Sequence, residues 1–158
     1  MEDQRFPTDL LERRIHLVTG KGGVGRTTVA AAMARLIAAD GKRVLLCEVG
    51  DPEGGPSSIG ACFDKPELGP DPEPLGPPGL FGCLVWATRG HELFAQQVIP
   101  AGPLIRTAMR SDTLRKFVAA VPSLYELGVF YHLLCLLQAT DAQGQPRHEV
   151  VVADMPAT

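Results

Sequence analysis

The run Gly20-Lys21-Gly22-Gly23-Val24-Gly25-Arg26-Thr27-Thr28 constrains this chain more than any other stretch. Four glycines lie among the six residues from Gly20 to Gly25, too many for a stable helix or strand, so the backbone must turn there. Ahead of the turn, Ile15-His16-Leu17-Val18-Thr19 is short, apolar and β-rich, the profile of a buried parallel strand. Behind it, Thr27 to Ala39 is alanine-rich with Met33, Leu36 and Ile37 at helical spacing, and Gly41 suits a C-terminal cap. Arg43 to Val49 reads as a second strand. Strand, glycine turn, helix and strand in this order make a βαβ unit, which predicts an α/β fold with a parallel sheet flanked by helices.

That context gives the glycine turn a chemical reading. Gly20, four residues, then Gly25-Arg26-Thr27 fits the phosphate-binding pattern G-x-x-x-x-G-K-[ST], with Arg26 in the lysine's place. Backbone N–H groups of Gly20, Lys21, Gly22, Gly23, Val24 and Gly25 can converge on phosphate oxygens, and the following helix offers its positive end. Thr27 would place a hydroxyl on Mg²⁺, and Thr28 can reach a neighbouring phosphate. A guanidinium is larger and flatter than an ammonium, yet it neutralises phosphate charge and donates two parallel hydrogen bonds. Binding of ATP or ADP with Mg²⁺ is therefore the firmer expectation, and hydrolysis the less secure one.

Two acids extend the site. Asp154 follows the apolar run Val150–Ala153, so it is expected at the C-terminal end of a strand beside the glycine loop, where it would hold the Mg²⁺ shell. Asp51 follows the second strand in Glu48-Val49-Gly50-Asp51-Pro52, so it and Glu48 are the acids expected at that strand's end.

The rest of the chain divides by composition. Met1 to Arg13 is a polar leader. Gly50 to Gly79 holds eight prolines and seven glycines, which predicts a long loop without regular helix or sheet. Phe81 to Thr88 reads as a strand and His91 to Val98 as a helix. Leu104 to Ala120 reads as a further helix, and another starts at Pro122 and runs to about Ala139. This last helix is apolar around much of its circumference, and burial is the expected reason. Asp141 to Arg147 is a polar turn before a strand over Glu149–Ala153. Trp86 is expected in a strand core.

Loop and strand end together resemble one family. Lys21, directly after the first glycine, matches the early lysine of the deviant Walker A ATPases, and Asp154-Met155-Pro156-Ala157-Thr158 resembles the D-x-P-x-T-G-H switch motif of the ArsA-type branch. That branch includes arsenite-pump and tail-anchored-protein targeting ATPases. The resemblance runs from about Arg14 to Thr158 and implies an N-terminal part of a P-loop ATPase domain, with residues 103–139 as its helical insertion. It further implies a homodimer when complete, in which Lys21 reaches the partner's ATP, and a protein client on the helical region. It also implies that Asp51 positions an attacking water, with Glu48 as its competitor, although the apparent extra Gly50 and the lack of Ala-His after Pro52 depart from the family's pattern there.

Other classes fit less well. The chain has 158 residues and a net charge of −3, which gives no electrostatic reason to expect a nucleic-acid partner. The apolar stretches Val29–Ala39 and Leu127–Leu137 are shorter than a membrane span, and Met1 to Arg14 lacks the apolar core of a signal peptide, so a cytoplasmic location without a membrane anchor is expected. Cys47, Cys62, Cys83 and Cys135 form no C-x-x-C pair and read as reduced thiols. His16, His91, His132 and His148 share no metal-ligand spacing. Two competing functions remain open: a non-hydrolysing scaffold that keeps the fold, and a positioning ATPase of the ParA/MinD type, which shares the loop.

Overall fold

A computed structural model of the chain describes residues 12–50, 55–98 and 123–157. In chain order these form β1 (Ile15–Val18), α1 (Arg26–Ala39), β2 (Val44–Val49), α2 (Ser58–Ala61), β3 (Glu73–Pro74), β4 (Leu80–Val85), α3 (Ala87–Val98), α4 (Leu124–Gln138) and β5 (Val150–Asp154). The strands make one sheet in the order β1-β5-β2-β4-β3, parallel throughout except for β3, which runs antiparallel to β4. The expected α/β architecture is therefore the observed one.

Helices cover both faces of the sheet, as parallel strands require. On one face α1 lies over Val44, Leu46, Val150 and Val152, with Ala30, Ala34 and Ile37 as its contact surface. The small alanine side chains let the helix axis sit close to the sheet. Leu36 is half exposed on the opposite side of the helix, while Ala30 and Ala34 are fully buried. On the other face α4 packs Val129, Leu133 and Leu136 against Leu45, Cys83, Val85 and Val151. Among the described residues only one side of α4 is covered: Leu127, Phe130 and Leu134 are exposed, so burial accounts for half of its apolar circumference. Ile15 and Leu17 of β1 are also exposed.

Several boundaries shift. β4 ends at Val85, and Thr88, expected in the strand, is in the first turn of α3. Trp86 consequently sits in the connection between them, partly buried against the α1-side core. Within the proline-rich stretch, residues 58–61 form one short helical turn and Glu73–Pro74 one short strand, so the loop carries two small regular pieces. The expected helix over 104–120 lies outside the described residues.

α3 and α4 cross at a glycine contact. A Cβ on Gly90 would overlap the Gly128 carbonyl, and one on Gly128 would overlap the Ala87 carbonyl. His91 Nε2 adds a 2.7 Å hydrogen bond to the Leu124 carbonyl, and the Phe94 and Tyr131 rings meet edge to face at 5.3 Å. Gly→Ala within an unconstrained helix stabilises by about 1 kcal/mol. Gly128→Ala is expected to do the opposite, lowering stability by ~1–3 kcal/mol through overpacking, as read from urea denaturation midpoints.

Far from the glycine loop, His148 is buried against Phe81, ring to ring at 5.2 Å. Burial, then the nearby Arg147 and Arg43 charges, lowers its pKa to about 4. An unfolded histidine titrates near 6.5, so between those values the unfolded chain binds the extra proton and the folded chain does not. Stability should be fully present above about pH 6.5 and fall toward pH 4, by at most about 3 kcal/mol from this group. His16 and His132, whose pKa values burial also lowers, act in the same direction. Thermal melts across this range should show the fall, and His148→Gln should flatten it.

Candidate nucleotide-binding site

The glycine loop joins β1 to α1 and is solvent-exposed from Lys21 to Gly25. Gly23 and Gly25 have φ of 78° and 85°, a left-handed conformation that side chains with a Cβ rarely adopt. Gly25 is also the N-cap of α1 and brings no side-chain hydrogen bond to the helix end. The first amides of α1 are thus left for an external acceptor, at the end of the helix that favours negative charge. Lys21 and Thr28 are exposed beside this opening.

Sheet register brings the acids to the same place. Val18, Asp154 and Glu48 are side by side at the ends of β1, β5 and β2. Thr27 donates its hydroxyl to Asp154 Oδ2 at 2.6 Å. Asp154 is only 5% exposed, and its other oxygen, Oδ1, is buried without a hydrogen-bond partner; Arg26 Nε lies 3.9 Å from it. A buried carboxylate oxygen with spare acceptor capacity, next to a threonine hydroxyl, is the hard oxygen donor set that Mg²⁺ takes. These two residues fit the metal.

Arg26 behaves differently from a free phosphate cation. Its Nη1 donates to the Met155 carbonyl at 2.6 Å and more weakly to the Gly20 carbonyl at 3.4 Å. A hydrogen bond from a charged donor contributes about 1.5–3 kcal/mol, so the guanidinium ties the start of α1 to the backbone just after β5. Met155 N–H in turn donates to the Val18 carbonyl at 2.9 Å. The Met155 carbonyl has no sequence signature, because any residue supplies one, and only its place in the fold reveals it.

Glu48 is committed elsewhere. Its Oε2 accepts the Ser57 hydroxyl at 2.7 Å and the Ile59 N–H at 3.1 Å, fastening the return of the proline-rich loop to the end of β2. Ser57 is buried and caps α2 through Gly60 N–H. Asp51 lies outside the described residues, as does Thr158. The structure therefore brings together Arg26, Thr27 and Asp154, sets Glu48 alongside as a loop anchor, and leaves Lys21 facing solvent.

Residues 13–158 match the family described as anion-transporting ATPases, which covers nearly the whole chain. The chain belongs to that family. Among curated proteins, this ATPase-family chain is 49% identical over 63 residues to the ATPase BagA of Mycobacterium tuberculosis, a stretch covering 40% of the chain and 17% of BagA. It is 52% identical over 46 residues to the chromosome-partitioning ATPase Soj of Thermus thermophilus, covering 29% of the chain and 18% of Soj. The resemblance read from the glycine loop and the Asp154 motif is thus to the right family. Among the described residues no helix is long and apolar enough to cross a membrane.

The two bonds to Glu48 define a test of its role. Glu48→Ala leaves the Ser57 O–H and the Ile59 N–H without their acceptor and should cost about 1–3 kcal/mol in denaturant titrations. Glu48→Gln, which keeps an acceptor oxygen, should recover most of that loss.

Proposed function

We propose that this chain binds Mg·ATP and Mg·ADP on Gly20–Thr28 and belongs to an ATPase that couples nucleotide turnover to a conformational change in a dimer. The observation that carries the reading is the contact of Thr27, two residues after the end of the glycine loop, with the buried, partly unsatisfied Asp154. The amides of the loop would hold phosphate oxygens, and Thr27 and Asp154 would hold Mg²⁺. The bound metal would supply charge neutralisation for the phosphates. Asp51 is assigned to positioning the attacking water, since Glu48 is occupied by the loop. Lys21, exposed at the mouth, is assigned to the partner protomer's nucleotide. The exposed apolar side of α4 is offered as the place for a protein client, and a cytoplasmic location goes with this role.

Residues 14–158 are read as the N-terminal part of one ATPase domain, with the proline-rich stretch over 50–79 and an insertion over 103–139 within it. The match to Soj is what a shared loop gives, and the family match across residues 13–158 favours the anion-transporting branch over a chromosome-positioning role. One observation supports a second reading, a nucleotide-binding protein that does not hydrolyse. Arg26 already holds the Met155 carbonyl, so its availability to stabilise a transferring phosphoryl group is reduced.

Calorimetric titration of Mg·ATP and Mg·ADP into the chain, beside Thr27→Ala, tests the site. Saturable binding that weakens about tenfold or more in Thr27→Ala is expected, the equivalent of at least one metal-side contact. Equal affinity in both proteins would remove the P-loop assignment.

A further inference from the structure

Resting on the nucleotide reading above, we propose that Arg26 is a positioning residue that couples phosphate binding to the backbone after β5: phosphate oxygens compete with the Met155 carbonyl for its guanidinium. Three links join the first turn of α1 to the end of β5. Arg26 Nη1 bonds the Met155 carbonyl at 2.6 Å, Arg26 Nε lies 3.9 Å from Asp154 Oδ1, and Thr27 Oγ1 bonds Asp154 Oδ2 at 2.6 Å. Every group on the α1 side is one that an Mg-nucleotide also recruits, the guanidinium by phosphate and the hydroxyl by the metal.

The competition has a direction. A phosphate oxygen carries full negative charge and a peptide carbonyl does not, so a guanidinium within reach of both turns to the phosphate. Arg26 is only partly buried, with a side chain 17% exposed, and it sits at the base of an exposed loop, so it has room to turn. Once it leaves, Met155 keeps its N–H bond to the Val18 carbonyl and the packing of its side chain against the α4-side core, and its carbonyl is released. The segment Met155-Pro156-Ala157 then loses the link that fixes it against the start of α1. A Cβ built on Gly22 would stand 4.0 Å from Ala157 Cβ, at van der Waals contact, so the segment runs alongside the glycine loop and its release alters the wall of the same site.

A lysine at this position would behave otherwise. Its single ammonium lacks the planar fork that lets one side chain face the Met155 and Gly20 carbonyls and the Asp154 carboxylate together. Arginine therefore makes the coupling stronger and phosphate binding weaker, because the Met155 bond must be broken first.

Amide and arginine-side-chain NMR of the ¹⁵N-labelled chain, titrated with Mg·ADP, tests this directly. In the wild type the Arg26 Nε–Hε signal and the Met155 amide should shift together, saturating at one concentration. In Arg26→Lys, Mg·ADP should bind more tightly, by up to about tenfold for one charged hydrogen bond no longer broken, while the Met155 shift falls below half. In Arg26→Met, any remaining saturable binding, followed on the Gly23 and Gly25 amides, should leave Met155 unmoved. Saturation of those glycine amides in the wild type with Met155 unmoved overturns the coupling alone. A Met155 response of wild-type size in Arg26→Lys does the same. Absence of saturable binding by the folded wild type overturns the nucleotide reading and the coupling with it.

Discussion

Insertion of β5 between β1 and β2 is the constraint on which the rest of the structure depends. It is a long-range pairing, since β1 and β2 are near the start of the chain and β5 is at residues 150–154. Parallel register then leaves no freedom: if Ile15 meets Val151 and Val44 meets Val150, Asp154 must stand beside Val18 and Glu48. Without it the glycine loop would be a turn with helix amides and no acid within reach. The apolar strand Val150–Ala153, fully buried between two layers, drives the insertion, and the polar site is a by-product of where that strand stops.

Energetics of the site run against its own comfort. Asp154 is buried with one oxygen unsatisfied, which is costly in a low-dielectric setting. Arg26 nearby offsets part of that cost at 3.9 Å, too long for a hydrogen bond. Such a carboxylate is retained where it has a further charge to meet. The neighbouring Glu48 shows the contrast: it is partly exposed, has two donors on one oxygen, and is spent on fastening a loop.

Legibility of the fold in the sequence followed the strength of local signals. The βαβ unit was readable because glycine, alanine and β-branched residues change abruptly at its boundaries, and the last strand because Val150–Val152 has no competing pattern. Thr88 was misplaced because apolar residues on both sides of Val85 blur the strand–helix boundary. Which side of α1 is buried was not legible, because its contact face is made of alanines, whose burial depends on how closely the helix approaches the sheet. For the site, Arg26, Thr27 and Asp154 were all nameable from the chain, but two things were not. The Met155 carbonyl and the capture of Glu48 by Ser57 are backbone and tertiary facts, invisible to residue type.

One contact in the core has a separate chemical meaning. Cys47 and Cys83 are register partners on β2 and β4, their sulfurs 3.8 Å apart in the fully buried layer beneath α4. The neighbouring thiol and the burial both push the Cys47 pKa well up, so the reactive thiolate is suppressed as long as the layer is closed. Cys62, exposed on the proline-rich loop, has no such shelter. A thiol reagent therefore meets Cys62 in the folded chain, whereas Cys47 and Cys83 are shielded from it for as long as their layer stays packed, with the partly buried Cys135 between these extremes.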